Sequence, residues 1–149
     1  MKQYTADKIR NVALAGHSSA GKTSLAEMLL FKSGATDRLG KIADGNTVCD
    51  FDPEEIKRQV SVSSAIAPFD WNGVKINLLD TPGMFDFAAG VSEGIRAAES
   101  VLVVVSGRSG VTVGAEKAFQ LARKNNKATM GFVSTWASAP RRLTAWLPA

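Results

Sequence analysis

A chain of 149 residues, 45% of them apolar, suits one domain that buries roughly 70% of its unfolded surface. The longest uncharged apolar run, Val101 to Val105, is far too short to span a bilayer, so no membrane partner is expected. Residues 1–116 hold twelve Lys/Arg and all fourteen Asp/Glu, so the net charge of +4 comes from the C-terminal part and does not indicate RNA binding; the sequence shows no direct nucleic-acid motif. The lone Cys49 excludes an internal disulfide and favours a cytoplasmic location.

The first predicted elements surround a glycine-rich loop. A strand from Asn11 to Ala15 is followed by GHSSAGKT, residues 16–23, which fits the phosphate-loop pattern G-x-x-x-x-G-K-S/T, and by a helix from Lys22 to about Lys32. This order aims backbone N–H groups and the positive end of the helix dipole at one point. An ordinary glycine turn is the alternative, which the flanking strand and helix disfavour. The loop therefore predicts a nucleoside triphosphate site, with these binding residues: Gly16, His17, Ser18, Ser19, Ala20, Gly21, Lys22, Thr23 and Ser24.

Two side chains of the loop have predicted chemical roles. Lys22 can reach the β- and γ-phosphates, and the Thr23 hydroxyl can occupy one position on a Mg²⁺ ion. Gly16 and Gly21 allow the backbone angles that a close wrap around a phosphate requires.

A long polar segment follows the first helix. Residues 33–58 are predicted to be a loop, and its length indicates a mobile, functional segment. A second strand is predicted from Val60 to Pro68. Cys49 is expected to be a small buried or switch-region side chain rather than a catalytic thiol. The acids are expected to form a solvated face rather than a second metal site: Asp50, Asp52, Glu54 and Glu55.

A second motif ends the next strand. Val74 to Leu79 should pair with the preceding strand through an Asn72-Gly73 turn, and it leads into Asp80-Thr81-Pro82-Gly83. An acid at the end of a strand beside a phosphate loop holds Mg²⁺ through water, and the Gly83 N–H could face the γ-phosphate. A plain turn is the alternative. Asp80, Thr81, Pro82 and Gly83 are thus added to the nucleotide-binding set, and Asp80 to the metal ligands.

The remaining pattern continues to alternate helix and strand. We predict a helix from Ala88 to Ala98, a buried strand from Val101 to Val105, a helix from Ala115 to Lys124 and a strand from Ala128 to Val133. Alternation of this kind indicates an α/β fold of the P-loop NTPase type, a three-layer structure whose mainly parallel sheet carries helices on both faces.

Four segments in order resemble the translational GTPases, most closely elongation factor G and its paralogues. GHSSAGKTSL is similar to the family's GHxxxGKTxL, and DTPGMFDF to DTPGHxDF. Residues 50–65 resemble the first switch region, and residues 96–105, followed by Gly110-Val111, resemble a helix-to-strand passage. The resemblance runs from about Lys8 to Val133 and covers only the first part of such a factor. It implies GTP hydrolysis to GDP with Mg²⁺ as cofactor, and the ribosome as partner.

The chain departs from the family at the active site. Ser61 stands where the family has a metal-binding threonine, so the resemblance implies a metal ligand; the alternative is that Ser61 begins a strand. Gln59 replaces a glycine. Met84 replaces the histidine that orients the attacking water, and methionine has no N–H or O–H donor. The predicted catalytic set is Lys22, Gly83 and Met84. Because Met84 cannot orient water as the family's histidine does, intrinsic GTP hydrolysis is expected to be feeble. His17 is interpreted as a packing residue rather than a base.

The residues after Val133 also differ from the family pattern. Where the family has N/T-K-x-D, whose aspartate selects guanine, this chain has Ser134-Thr135-Trp136-Ala137. We therefore predict an incomplete GTPase domain over residues 1–134, lacking its last strand and helix and leaving the strand at 128–133 as an open edge. Residues 135–149 are interpreted as a non-family tail, from a frameshift or a truncation.

Several functions stay open at this stage. The leading hypothesis is a GTP-hydrolysing translation factor of the elongation factor G type. A nucleotide-dependent binding switch with little hydrolysis and a non-functional truncated fragment are the alternatives. An ATPase is compatible with the local chemistry alone.

Overall fold

The computed structural model describes residues 3–136. The predicted tail therefore lies outside the described residues except for Thr135 and Trp136. The elements are β1 (Ile9–Gly16), α1 (Lys22–Lys32), α2 (Pro53–Arg58), β2 (Ala65–Trp71), β3 (Val74–Asp80), α3 (Ala88–Ala97), β4 (Ser100–Ser106), α4 (Val113–Lys124) and β5 (Ala128–Ser134). Three short 3₁₀ turns join them: Ala6–Lys8, Ile42–Asp44 and Phe85–Phe87.

One five-stranded sheet runs through the domain in the order β2-β3-β1-β4-β5. β1 is parallel to β3 and β4, β5 is parallel to β4, and β2 alone is antiparallel to its neighbour. The hairpin turn between β2 and β3 has positive φ at Asn72 (48°) and Gly73 (79°), as the predicted two-residue turn requires. The prediction of a mainly parallel α/β sheet is confirmed.

Each face of the sheet carries its own apolar core. Along β1, Ala13 and Ala15 pack on the side of α3 and α4, whereas Leu14 packs on the side of α1. The alternation follows from the two-residue period of a strand. Ile95 of α3 and Ala118 of α4 complete the first core, so helices cover both faces as predicted.

The predicted loop over residues 33–58 is wrong in its last part, because α2 occupies residues 53–58. The Asp52 side chain accepts a hydrogen bond from the Glu54 N–H, and Glu55 accepts one from the Asp52 N–H, so the two acids form a capping box. Pro53 occupies the first helical position, where it needs no N–H donor. The sequence DPEE carried this helix-start signal.

The predicted strand from Val60 to Pro68 starts too early and ends too early. β2 begins at Ala65 and continues to Trp71. The Val62 and Ser63 N–H groups donate to the Glu55 carboxylate instead of a neighbouring strand. Ser61 therefore does not begin a strand.

β5 lies at one edge of the sheet and pairs only with β4 within residues 3–136. Met130 on this strand is 66% exposed. Over the same residues, no helix is both long and apolar enough to cross a membrane.

Candidate functional site

The loop between β1 and α1 uses left-handed backbone at two positions. Gly21 has φ of 94° and directly precedes α1, whose N-terminus is not capped by any side chain of the described residues. Ser19 has φ of 60°, which no sequence pattern indicated. At Gly16, a Cβ atom would collide with the Val104 carbonyl of the neighbouring strand. The uncapped amides at the start of α1 are thus free to receive an anion.

Lys22 is folded back across this loop. Its Nζ donates to the Gly16 carbonyl at 3.3 Å and to the His17 carbonyl at 3.0 Å, and the residue is buried. Burial lowers the pKa of Lys22, while the charges of Asp80 and Asp50 oppose this shift. The arrangement places a cation beneath the loop, where a phosphate would lie.

Asp80 at the end of β3 meets the first turn of α1. The Thr23 hydroxyl donates to its Oδ2 at 2.7 Å, and its Oδ1 is buried with no hydrogen-bond partner in the described part of the chain. Burial raises the pKa of Asp80 to about 6, partly offset by the Thr23 hydrogen bond and the Lys22 charge. A buried carboxylate oxygen without a donor is suited to a cation.

Ser61 joins this group from the segment before β2. Its Oγ donates to Asp50 Oδ1 at 2.7 Å and lies 3.2 Å from Thr23 Oγ1. Asp50 is buried, and its Oδ2 has no partner within residues 3–136. Burial raises the pKa of Asp50, and its hydrogen bond to Ser61 opposes the shift.

The predicted solvated acidic face is therefore wrong for Asp50 and Glu55, which are 5% and 2% exposed, and right for Asp52 and Glu54. Sequence reasoning missed Asp50 as a site residue. No local signal separates it from its exposed neighbours, because its side chain is held by Ser61, which is 11 positions away.

The donors gathered here are hard oxygens: two hydroxyls and two carboxylates. Mg²⁺ prefers such ligands and is usually held by one or two carboxylates together with substrate phosphates. Among residues 3–136 no group of three His, Cys, Asp or Glu could hold a metal by itself. These four residues therefore fit a Mg²⁺ ion that is also bound by other oxygens, such as those of a phosphate.

Thr23, Ser61 and Asp50 border a cavity of about 280 Å³. Its wall is made by Ser18, Ser19, Gly21, Lys22, Thr23, Ser24, Ile42, Asp50, Gln59, Val60, Ser61 and Gly83. Gly83 lies against the loop, since its carbonyl accepts from the Ser18 N–H at 3.0 Å. The structure therefore brings both predicted motifs and the serine of the intervening segment to one cavity.

The other predicted residues lie around this cavity rather than in its wall. Asp80 and Thr81 are buried, and the Thr81 hydroxyl donates to the Leu14 carbonyl at 2.7 Å. Ala20 packs in the core beneath α1. Gly16, Pro82 and Met84 line a neighbouring apolar groove of about 270 Å³, which shares Gly83 with the cavity.

His17 and Met84 lie away from the 280 Å³ cavity. The His17 ring packs near Phe85, with ring centroids 6.1 Å apart, and its Cβ and Nδ1 lie close to Gly114. Met84 is 37% exposed and faces the groove. Neither side chain borders the cavity.

The sequence pattern also gave no sign of a contact between the end of β5 and the glycine loop. The Ser134 hydroxyl, at the end of β5, donates to the Ala20 carbonyl of the loop at 2.6 Å. It joins residues 114 positions apart, so no local pattern could reveal it.

Known proteins resemble this chain over the same region. The family model described as the elongation factor Tu GTP binding domain matches residues 7–134. An elongation factor G-like protein of Mycobacterium tuberculosis is 46% identical over 103 residues, which are 69% of this chain and 14% of that protein. The mitochondrial ribosome-releasing factor 2 of Drosophila grimshawi is 39% identical over 131 residues, covering 88% of this chain and 18% of that protein.

A solved structure from Thermus thermophilus superposes with a TM-score of 0.83 at 40% identity, covering 85% of this chain and 19% of that one. The chain thus spans less than a fifth of the length of these relatives.

Proposed function

The chain belongs to the family of elongation factor Tu-type GTP-binding domains, and we propose that it binds GTP and hydrolyses it to GDP as the N-terminal part of an elongation factor G-like translation GTPase. One observation carries this proposal: Lys22 and Thr23 line the cavity beneath the glycine loop, and the Thr23 hydroxyl donates to the Asp80 carboxylate. Phosphate-loop enzymes catalyse largely by positioning and by charge stabilisation, and this site offers both.

Each part of the site has an assigned task. The loop amides, the Lys22 ammonium and the Gly83 N–H would hold the β- and γ-phosphates. The hydroxyls of Thr23 and Ser61 and the Asp80 carboxylate would hold Mg²⁺. When bound, the ion neutralises negative charge on the phosphate oxygens. Asp50 adds a second carboxylate, since its unpartnered oxygen belongs to the same hydrogen-bonded group.

Met84 favours a second candidate, a nucleotide-dependent switch that hydrolyses little. The methionine side chain can neither donate a hydrogen bond nor accept a proton at neutral pH, and it borders the apolar groove instead of the phosphate cavity. Turnover would then depend on a group supplied by a partner. The relatives include a protein named a ribosome-releasing factor, and we propose the ribosome as that partner and the cytoplasm as the place of action.

Nucleotide binding tests the proposal directly. Fluorescent GTP, GDP and ATP analogues are titrated into the purified 149-residue chain over a range of Mg²⁺ concentrations. Saturable, Mg²⁺-dependent binding of guanine nucleotides is expected. Lys22→Ala should abolish it, whereas Lys32→Ala, at an exposed lysine in the last turn of α1, should leave it unchanged.

Two outcomes would contradict the proposal. Tighter binding of ATP than of GTP would support the ATPase alternative. Failure of the wild-type chain to bind any guanine nucleotide would support a non-functional fragment.

A further inference from the structure

The Glu55 carboxylate is buried and fully engaged by backbone N–H groups. Its Oε1 accepts from the Val62 N–H at 2.9 Å and from the Ser63 N–H at 3.0 Å, and its Oε2 accepts from the Asp52 N–H at 3.2 Å. The residue is only 2% exposed. Hydrogen bonds to an ionised acceptor are stronger than neutral ones, and burial shields them from water. A single side chain therefore ties α2 to the segment that precedes β2.

Besides these bonds, that segment is held by the Ser64 hydroxyl, which donates to the Gly90 carbonyl at 3.0 Å, and by the contacts of Ser61. Gln59 has φ of 56°, so the chain turns sharply after α2. The Val60 N–H returns to the Glu55 carbonyl at 3.3 Å, and residues 60–64 belong to no strand. The backbone and the side chain of Glu55 thus account for the hydrogen bonds of the Val60, Val62 and Ser63 amides.

Ser61 lies between these anchored amides. Its hydroxyl is directed toward Asp50 Oδ1 at 2.7 Å and Thr23 Oγ1 at 3.2 Å. Asp50 is held in turn, because its N–H donates to the Thr47 hydroxyl at 3.3 Å. Glu55 holds the backbone of Val62 and Ser63, which directly follow Ser61, and the direction of the Ser61 hydroxyl therefore depends on Glu55.

We propose that Glu55 is a positioning residue: it holds Ser61 in place for the Mg²⁺–nucleotide complex before the nucleotide arrives. This inference rests on the proposed function. A metal ligand that is already in position lowers the entropy cost of binding the metal. The Mg²⁺ concentration needed for nucleotide binding should therefore depend on Glu55, although Glu55 contacts neither Mg²⁺ nor the nucleotide.

Three variants separate this role from a general effect on folding. Glu55→Ala removes both acceptor oxygens. Glu55→Gln keeps a carbonyl oxygen for Val62 and Ser63 but removes the charge. Glu54→Ala is the matched control, because Glu54 is an exposed acid of the same helix whose side chain pairs with Arg58 and not with the segment before β2.

The first measurement is amide hydrogen exchange in the nucleotide-free chain. Protection of Val62 and Ser63 should be lost in Glu55→Ala and retained in Glu54→Ala, with β3 unchanged in both. Because this readout needs no nucleotide, it tests the anchor even if the proposed function fails. Unchanged protection in Glu55→Ala would overturn the inference.

The second measurement is the Mg²⁺ concentration that gives half-maximal binding of a fluorescent GTP analogue. It should rise about tenfold in Glu55→Ala, the low end of the range for residues that orient metal ligands. Glu55→Gln should fall between wild type and Glu55→Ala, because it keeps one acceptor oxygen and loses the charge, and affinity in excess EDTA should be the same for all variants. A wild-type Mg²⁺ requirement in Glu55→Ala would overturn the inference, as would a Glu55→Gln variant as impaired as Glu55→Ala.

Discussion

The Thr23 hydroxyl donates a hydrogen bond to the Asp80 carboxylate at 2.7 Å, although the two residues are 57 positions apart. The contact depends on the parallel pairing of β1 and β3, in which Leu14 lies opposite Asp80. Both strands end at the same edge of the sheet, so the loop after β1 and the acid at the end of β3 are adjacent. The phosphate cavity is built on this junction.

Asp80 should make stability depend on pH. Its folded-state pKa is raised from 3.8 to about 6, so the folded chain binds the proton more tightly than the unfolded chain. Stability should therefore fall as pH rises from about 4 to about 6. In buffer free of Mg²⁺ and nucleotide, Asp80→Asn should be more stable than wild type at pH 7 by up to about 3 kcal/mol.

Urea unfolding of both proteins between pH 4 and pH 7 measures this difference. The advantage of Asp80→Asn should shrink as pH falls through about 6 and vanish near pH 4. Because the comparison is a difference, the titration of groups that do not interact with Asp80 largely cancels. A stability difference that is the same at both ends of the range would contradict the prediction.

Gly83→Ala should impair the phosphate cavity. An added Cβ would lie 2.5 Å from Lys22 Nζ and 2.5 Å from the Ser18 N atom, so one of them must move. Overpacking of this kind costs about 1–3 kcal/mol, and a loss of that size in binding free energy lowers GTP affinity about 5- to 150-fold. Gly131→Ala is the control, because a Cβ there meets nothing within 4 Å. Equal affinities in fluorescence titrations of the two variants would refute this account of Gly83.

Met84→His should raise intrinsic GTP hydrolysis. A histidine supplies the donor and acceptor that methionine lacks, and a positioned proton-handling group is worth about 10²–10⁴ in rate. We expect about 10²-fold, the low end, because the side chain at this position faces the apolar groove and must rotate toward the cavity. Single-turnover hydrolysis of radiolabelled GTP measures the effect, with Met84→Gln as a variant that cannot titrate. Equal rates for wild type and Met84→His would show that position 84 does not limit hydrolysis.

Ser134→Ala should weaken both the fold and the nucleotide site. The change removes the donor to the Ala20 carbonyl, and Ala20 is only 4% exposed. An unsatisfied buried acceptor costs about 1–3 kcal/mol. The control is Ser33→Ala, which removes a similar bond to the Leu30 carbonyl at the far end of α1. Urea unfolding and GTP titration should show a loss of affinity in Ser134→Ala alone; an affinity loss of the same size in Ser33→Ala would point to general destabilisation.

Local sequence patterns were enough to predict most of the architecture. The phosphate loop, the DTPG turn, the hairpin at Asn72-Gly73 and the buried β4 strand were predictable because each depends on neighbours within about ten residues. Glycine conformation, turn chemistry and hydrophobic periodicity act over that range. The capping acids Asp52 and Glu55 are also a local signal for the start of α2, although a loop was predicted there.

The chemistry of the segment between α1 and β2 could not be found this way. Asp50 and Glu55 differ in burial from Asp52 and Glu54 although all four are acids within a six-residue stretch. Asp50 is placed by Ser61, 11 positions away, and Ser61 by Thr23, 38 positions away. Residue types and their spacing thus specify a triphosphate loop and its sheet. Which acids face that loop depends on how distant segments fold back, because burial and hydrogen bonding are properties of neighbours in space.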